Sequence, residues 1–331
     1  MRALQITELT GPRSALAFAE LPDPEPPHML TPDGGVVVEV HAAGVSFPEL
    51  LQSRGQYQLK PPLPFVPGSE VAGIVRSAPD GAAVRAGDRV AAFCALGGFA
   101  EVAVAPEFLT FALPGALSFA QGAGLILNYH TAYFALKLRG RLAPGETVLI
   151  HGGAGGVGTA AIQVANGLGA RTIAVVSSDE KEHVARTAGA DEVVRSDGAW
   201  KDAAKELTDG AGVDVVLDPV GGDRFTDSLR ALREDGRLVV VGFTAGSIPE
   251  VRVNRLLLGN TSVVGAGWGA YAMGKPAACR EIGAALDVMI RDGVVSPIVG
   301  ALLPLERAAE ALELLDGRRA VGKVVLAVRE A

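Results

Sequence analysis

The chain has 331 residues, with 49% hydrophobic and 20% charged side chains and a formal net charge of −7. This composition provides enough apolar surface for a large core, and the length predicts two domains. The acidic balance excludes the basic surface of a nucleic-acid or anionic-membrane binder, and two cysteines are too few for a disulfide framework. No segment has the pattern of a membrane span or a signal peptide, so we expect a cytoplasmic protein.

The first third of the chain predicts a β-rich domain with irregular loops. Short apolar runs such as "GGVVVEVHAAGV", "VAGIV" and "GDRVAAF" alternate with turn residues. After about residue 270, two helix patterns alternate with the strand candidates "SPIVGALLP" and "GKVVLAV". These last elements do not obviously extend the pattern in the middle of the chain. They could complete the first domain, which would then be discontinuous.

The middle of the chain alternates short apolar strands with helix patterns. Six strand candidates begin with "TVLIH" and "RTIAVVSS" and end with "TSVVGA". The segment "DEKEHVARTAGA" predicts a helix, for which Asp179 is the expected N-cap. This alternation predicts an α/β domain with a parallel sheet covered on both faces. Six strands are also the number of a doubly wound dinucleotide-binding fold.

A glycine-rich loop joins the first of these strands to its helix. Residues 153–158, "GAGGVG", fit the pattern G-x-G-x-x-G. Glycines in this pattern permit the sharp turn, the approach of a pyrophosphate to the backbone, and close packing of helix on strand. Gly155, Gly156 and Val157 are therefore candidates for phosphate binding at the helix N-terminus. A tight turn without a ligand is the alternative.

The residues after the second strand favour NADPH over NADH. An NAD site usually carries an acid about 20 residues after the glycine loop. That position holds Ser177 and Ser178, with Lys181 one turn later and Arg195 at the end of the third strand. Hydroxyl and cationic groups suit a 2′-phosphate, which an acid would repel. The negative charge of Asp179 is an argument against NADPH, and a solvated surface is the alternative role for the two cations.

Several longer segments resemble one enzyme family. "GRLAPGETVLIHGGAGGVGTAAIQVANGLGA", "LDPVGGDRF", "NYHTAYFAL", "PPLPFVPGSEVAGIV" and "GKVVL" are similar to zinc-independent medium-chain dehydrogenase/reductases, in particular the quinone oxidoreductase group that includes zeta-crystallin. The resemblance covers essentially the whole chain. It implies a GroES-like catalytic domain at residues 1–122 and 270–331 and a Rossmann NADPH-binding domain at residues 123–269. It also implies NADPH-dependent reduction of quinones or α,β-unsaturated carbonyl compounds.

The resemblance further implies that the chain holds no metal. Where zinc-dependent relatives have their three zinc ligands, this chain has Ser46, Ser69 and a residue near Leu127. A catalytic zinc needs about three protein ligands and an open position. Glu49 and Glu70 remain, but two carboxylates without His or Cys make a poor zinc site. Two cysteines also cannot form a four-cysteine structural zinc lobe.

Three residues are candidates for the substrate chemistry. Relatives often carry N-x-x-D where this chain has Ser46 and Glu49, and Tyr57 matches a tyrosine that lines the family's substrate pocket. Hydride addition to a quinone or enone leaves negative charge on the substrate oxygen, where Ser46 or Tyr57 could donate a hydrogen bond. As alternatives, Tyr57 could serve only as an aromatic cover, and Ser46 and Glu49 could only shape the pocket.

Other residues are candidates for contact with the nicotinamide half of the cofactor. Asn128 and Thr131 could bind its carboxamide or ribose. Phe243 and Thr244 follow the fifth predicted strand, at the strand ends where such sheets bind ligands. The resemblance places Trp268 near the nicotinamide, and a buried anchor is its alternative role.

The sequence leaves three questions of function open. Enoyl thioesters could be the substrates, and a non-catalytic NADPH-binding protein stays possible because Ser46 and Glu49 depart from the family's pattern. A zinc-free alcohol dehydrogenation is disfavoured, since the zinc ligands are missing.

The short apolar strand at 261–266 is predicted to lie at the edge of the sheet. There it would pair two copies of the chain into a homodimer.

Overall fold

The computed structural model describes residues 1–32 and 34–329, which form two compact units. The first unit takes the chain up to residue 127, residues 275–280 and the residues from 297 onward. The second unit takes Asn128–Gly274 and Glu281–Ser296. The first unit is therefore built from both ends of the chain. These bounds differ from those that the resemblance implied: residues 270–274 and 281–296 group with the second unit, and residues 123–127 group with the first.

The strands account for the apolar runs of the sequence. In chain order they are β1 (Arg2–Ile6), β2 (Leu16–Glu20), β3 (Val36–Val45), β4 (Glu70–Ser77), β5 (Arg89–Phe93), β6 (Val102–Ala105), β7 (Thr110–Ala112), β8 (Thr147–His151), β9 (Arg171–Val176), β10 (Glu192–Arg195), β11 (Val213–Asp218), β12 (Leu232–Val240), β13 (Ser262–Gly265), β14 (Val299–Pro304) and β15 (Lys323–Ala327).

Most of the helices are short. In chain order they are α1 (Pro12–Ala15), α2 (Phe47–Gln52), α3 (Phe119–Gly122), α4 (Thr131–Tyr133), α5 (Gly156–Gly167), α6 (Asp179–Thr187), α7 (Trp200–Glu206), α8 (Phe225–Ala231), α9 (Asn254–Gly259), α10 (Trp268–Ala272), α11 (Pro276–Arg291) and α12 (Ala308–Asp316). Two π-helical segments, Ile126–His130 and Phe134–Arg139, flank α4. Within the described residues, no helix combines the length and apolar character needed to cross a membrane.

The first unit is organised around the long strand β3. Its sheet has the order β14-β15-β3-β4-β5-β7, and β6 also pairs with β3. The antiparallel register places Glu70 of β4 opposite Gly44, and Val324 of β15 opposite Val45. The first residues of β4 and β15 therefore lie beside the last residues of β3. Apolar side chains such as Val38, which is fully buried, form the core beneath them.

The second unit contains the parallel sheet that the sequence predicted. In the part of the chain that the structure describes, six parallel strands have the order β10-β9-β8-β11-β12-β13. This order confirms the doubly wound α/β fold, because the strand sequence reverses between β8 and β11. Such a reversal opens a crevice at the carboxyl ends of the strands, where dinucleotide-binding sheets hold their ligands. The β13 strand lies at the edge, as predicted.

The N-terminus of α6 differs from the prediction. Ser178 is the N-cap, with extended backbone angles, and its hydroxyl oxygen accepts a hydrogen bond from the backbone N–H of Lys181 at 3.3 Å. Asp179, the expected cap, is instead the first helical residue. Its carboxylate accepts a hydrogen bond from the guanidinium of Arg195 at 2.6 Å. Serine and aspartate are similarly good caps, so sequence preference alone could not choose between neighbouring candidates.

Candidate active site

The end of β3 and the start of α2 place two predicted catalytic residues together. Ser46 is the N-cap of α2, and Pro48 occupies its first turn, where a missing N–H costs nothing. The backbone N–H of Ser46 donates to Glu49 Oε2 at 2.8 Å, as in a capping box. The hydroxyl of Ser69 donates to the other oxygen of Glu49. Glu49 is 0% exposed, and burial raises the pKa of its carboxyl group.

A second buried carboxylate joins this region to the last strand. Lys323 is the first residue of β15, and its ammonium group donates to Ser46 Oγ at 2.7 Å. The same group forms a salt bridge with Glu70 Oε1. Glu70 Oε2 accepts the backbone N–H of Leu127 at 2.9 Å. Ser46, Ser69 and Leu127, at or near which the resemblance places the zinc ligands of relatives, therefore each contact one of these two buried carboxylates or the ammonium group of Lys323.

The sequence analysis did not single out Lys323. A lysine at the start of a strand is normally exposed, since lysine is almost never fully buried unless it is paired. Here it is 3% exposed. The available signal was the motif "GKVVL", in which the lysine directly precedes a buried apolar run, but the acid that pairs with it lies far away in the sequence.

Tyr57 follows α2 in a loop of the first unit and is half-buried. Burial and, to a smaller extent, the negative charge of Glu49 raise the pKa of the Tyr57 phenol. The phenol is therefore protonated at neutral pH and can act as a hydrogen-bond donor. Ser46 and Glu49 lie together at the start of α2, and Tyr57 lies in the loop that follows the same helix.

The glycine-rich loop of the second unit has the close packing expected of a phosphate cradle. A Cβ atom at Gly158 would lie 2.1 Å from the carbonyl oxygen of Gly152, and one at Gly153 would lie 2.7 Å from the Cβ of Ala174. Gly155 has more room, because its nearest neighbour would be 3.4 Å away. It is the N-cap of α5, and no side chain caps this helix. The helix N-terminus is thus open to an anion.

The polar residues after β9 form two separate contacts. The ammonium group of Lys181 donates to Ser177 Oγ at 3.2 Å, and both residues are at least partly exposed. Arg195 instead pairs with Asp179 at 2.6 Å and with Glu182 at 2.5 Å. Two acids therefore oppose the charge of Arg195, whereas Ser177 and Lys181 remain together at the strand end. The same ion pair offsets the negative charge of Asp179, which was the argument against NADPH.

The other predicted cofactor contacts lie in three places in the second unit. Asn128 and Thr131 are buried in the helical segment around α4. Phe243 and Thr244 lie in the loop after β12, where Phe243 is half-buried and Thr244 is exposed. Trp268 is 1% exposed, and its ring packs edge-on against His130 with 5.4 Å between ring centroids. This position fits the alternative role of a buried anchor for Trp268.

Models of known protein families match segments in both units of the chain. The family model "Alcohol dehydrogenase GroES-like domain" matches residues 32–115, and the model "Zinc-binding dehydrogenase" matches residues 156–284. Quinone oxidoreductase-like protein 2 of Rattus norvegicus is 40% identical over 89% of this chain and 85% of its own length. The chain belongs to the quinone oxidoreductase family of medium-chain dehydrogenase/reductases. The resemblance noted in the sequence is thereby confirmed.

Solved structures of this family extend the match to the whole fold. A probable oxidoreductase from Mycobacterium abscessus is 42% identical with a TM-score of 0.88, and the match covers 99% of each chain. Escherichia coli quinone oxidoreductase, solved in complex with NADPH, is 31% identical with a TM-score of 0.87 over 99% of this chain and 100% of its own. The predicted combination of a GroES-like and a Rossmann domain is confirmed by these family members.

One family model carries zinc in its name, yet the side chains at the corresponding place in this chain are not those that zinc prefers. Ser46, Ser69 and Leu127 offer two hydroxyls and an aliphatic side chain, and the ammonium group of Lys323 donates to Ser46 Oγ at 2.7 Å. A positive charge at this point repels a metal cation, and zinc prefers Cys, His or carboxylate ligands. Among residues 1–32 and 34–329, no group of three or more His, Cys, Asp and Glu side chains could hold a metal ion. The residues present do not fit zinc.

Proposed function

We propose that this chain is an NADPH-dependent, metal-free reductase that transfers hydride to quinones or α,β-unsaturated carbonyl compounds. One observation carries the proposal. Ser46 stands where zinc-dependent relatives have a zinc ligand, and its hydroxyl accepts a hydrogen bond from the ammonium group of Lys323. It offers a hydrogen bond to a substrate oxygen without a metal. The similarity to quinone oxidoreductases, one of them solved with NADPH, supports the cofactor and the substrate class.

NADPH supplies the hydride when it is bound in the second unit. Gly155, Gly156 and Val157 would hold its pyrophosphate at the open N-terminus of α5. Ser177 and Lys181 would bind the 2′-phosphate through one hydroxyl and one ammonium group. Further contacts would come from Ser178 and Arg195 beside the 2′-phosphate, and along the nicotinamide half from Asn128, Thr131, Phe243 and Thr244. Trp268 would support these contacts from the core.

The first unit would act on the oxygen of the substrate. Addition of hydride to carbon moves an electron pair to that oxygen, and Ser46 and Tyr57 would each donate a hydrogen bond to the developing charge. Glu49 has no exposed atom, and it accepts the backbone N–H of Ser46 and the hydroxyl of Ser69. We therefore assign Glu49 a positioning role, in which it fixes the start of α2 and the direction of the Ser46 side chain.

A turnover assay tests the proposed function. The purified chain is mixed with NADPH and, separately, with 1,4-benzoquinone, 9,10-phenanthrenequinone, a panel of enones and a crotonyl thioester. The proposal predicts NADPH oxidation above the background rate with quinones or enones. Turnover restricted to the thioester would make the chain an enoyl-thioester reductase. NADPH binding without turnover of any acceptor would contradict a reductase and favour a non-catalytic NADPH-binding protein.

The choice of cofactor depends on Lys181. Substitution Lys181→Ala is expected to raise the Kd for NADPH about tenfold, because it removes one charge-assisted hydrogen bond to the 2′-phosphate. The Kd for NADH should change less than about twofold, since NADH has no such phosphate. Isothermal titration of both cofactors measures the effect, with Lys205→Ala on α7 as the matched control. Equal weakening of both cofactors, or NADH binding as tight as NADPH binding in the parent chain, would refute this assignment.

The surface beside β13 supports a homodimer through residues 261–266. The β13 strand pairs only with β12 within the described residues, so its other edge is available. The preceding helix α9 exposes Leu257 at 76% and Leu258 at 82%. Exposed leucines beside a free strand edge are typical of a self-association surface. Multi-angle light scattering should give twice the mass of one chain, and Leu258→Asp should lower it toward one chain; a monomeric parent chain would contradict the pairing.

A further inference from the structure

The salt bridge between Lys323 and Glu70 is the most deeply buried ion pair among the residues that the structure describes. The side chain of Lys323 is 4% exposed and that of Glu70 is 0% exposed. Glu70 binds the ammonium group through Oε1 and the backbone N–H of Leu127 through Oε2. The ammonium group has Ser46 Oγ as a second partner. Each charged group is therefore both paired and hydrogen-bonded, which a buried charge requires.

Two glycines make room for this pair in the core of the first unit. A Cβ atom at Gly44 would lie 2.7 Å from Cε of Lys323 and 2.8 Å from Cγ of Glu70. A Cβ atom at Gly124 would lie 3.0 Å from Cγ of Lys323. The added Cβ at Gly44 would also lie 2.1 Å from the carbonyl oxygen of Ala123, so a larger residue there would clash with the backbone as well as with the pair.

Stability alone is a poor reason for such a pair. Moving two charges out of water costs free energy that their mutual attraction often only offsets, and apolar residues of similar size commonly do as well. The pair does, however, hold a full positive charge at one fixed place. The ammonium group that carries this charge donates a hydrogen bond to Oγ of Ser46 at 2.7 Å, and Ser46 is a residue of the proposed substrate site.

The hydrogen bond from Lys323 also sets the direction of the Ser46 hydroxyl. Because Ser46 Oγ accepts from the ammonium group, its own proton points away from Lys323 and can be donated to another group. A hydroxyl that accepts from a cation becomes a stronger donor, since linked hydrogen bonds polarise one another. Ser46 is 7% exposed and Lys323 is 3% exposed, so both residues belong to the buried part of the first unit.

We propose that Lys323 is a positioning residue of the substrate site, whose ammonium group, anchored by Glu70, polarises the Ser46 hydroxyl toward the oxygen of a carbonyl or quinone substrate. This inference rests on the proposed reductase function. The effect is electrostatic: no proton leaves Lys323, and solvent supplies the proton that finally neutralises the reduced oxygen. A fixed cation behind a hydrogen-bond donor is of most use when the oxygen carries concentrated negative charge.

The acceptor itself therefore separates this role from a structural one. Reduction of an enone creates an enolate, whose oxygen is more basic than that of a hydroquinone anion. The double variant Lys323→Met/Glu70→Gln removes the cation without leaving a buried unpaired carboxylate. It should lower kcat about 10- to 100-fold for enones, less for 1,4-benzoquinone, with little change in KM. A structural defect would lower the rates with both acceptors by the same factor.

A thermodynamic cycle tests whether Lys323 acts on the substrate through Ser46. Ser46→Ala alone should lower kcat by a similar factor, and the triple variant should lose no more than either, because both changes break one linked chain. Lys137→Met on the exposed surface of the second unit is the control for loss of a lysine. Thermal melting and the Kd for NADPH establish that each variant is folded. Unchanged kcat in the double variant, or losses that multiply in the triple variant, would overturn the proposal.

A spectroscopic measurement tests the role of Lys323 independently of turnover. The probe is 4-nitrophenol, whose phenolate absorbs visible light and resembles the reduced oxygen of a product, added to the chain saturated with NADP⁺. The parent chain and Lys137→Met should bind the phenolate and lower the pH at which the bound probe ionises. The double variant should lose both effects. The proposed function fails if the parent chain binds NADPH but turns over no acceptor. The role of Lys323 is overturned if the bound probe ionises at the same pH in the parent chain and in the double variant.

Discussion

Substitution Lys323→Met is expected to lower the melting temperature by roughly 6–20 °C. It leaves the fully buried carboxylate of Glu70 without its cation, and breaking one half of a buried pair costs about 3–5 kcal/mol. For domains of this size, each kcal/mol corresponds to about 2–4 °C. Differential scanning calorimetry of the parent chain and the variant measures the shift.

The second substitution in this pair provides the control. Glu70→Gln added to Lys323→Met removes the unpaired charge and keeps an oxygen for the backbone N–H of Leu127. The double variant should therefore melt well above the single variant and closer to the parent chain. If the double variant melts no higher than Lys323→Met, the two residues are not coupled as a buried ion pair, and the burial described for them is wrong.

Substitution Gly158→Ala should cause the largest loss of stability among changes in the glycine-rich loop. The added Cβ would lie 2.1 Å from the carbonyl oxygen of Gly152, which is backbone and can move only if the loop and α5 separate. Forcing an extra carbon into a packed region costs about 1–3 kcal/mol. We expect a lower melting temperature together with weaker NADPH binding, measured by calorimetry and by titration.

Gly155→Ala, three residues earlier, should separate binding from stability. The nearest atom to its added Cβ is 3.4 Å away, and its backbone angles are open to any residue, so the melting temperature should stay within about 2 °C of the parent value. The methyl group would nevertheless stand where the backbone should meet the pyrophosphate, so NADPH affinity should fall at least about tenfold. A stable variant with full NADPH affinity would show that the pyrophosphate lies elsewhere.

The fold of the second unit was predictable because its signals are local. Each buried strand is a short apolar run bounded by turn residues, and strand "TVLIH" leads directly into the glycine-rich loop. Helix caps were less predictable. Ser178 rather than Asp179 caps α6, and the carboxylate of Asp179 instead contacts Arg195 on a neighbouring strand. Such a contact follows from the order of the strands in the sheet, which a linear pattern does not contain.

The substrate site was predictable only in part because its key contacts are far apart in the sequence. Ser46, Glu49 and Tyr57 lie in one short segment and could be chosen together. The sequence left open whether Glu49 acts on the substrate or only shapes the pocket, and its complete burial at the start of α2 favours the second role. Lys323 meets Ser46 and Glu70 only because β15 and β4 both pair with β3. Burial and strand pairing, not residue type, decide these roles.

Isotope transfer distinguishes metal-free hydride transfer by this chain from transfer that needs zinc. The chain is treated with a strong chelator, its zinc content is measured, and it is then supplied with an enone and NADPH deuterated at the transferred C4 position. We expect one deuterium at the β-carbon of the saturated ketone, formed at the same rate before and after chelation. A product without deuterium, or deuterium transfer that appears only when zinc is restored, would contradict it.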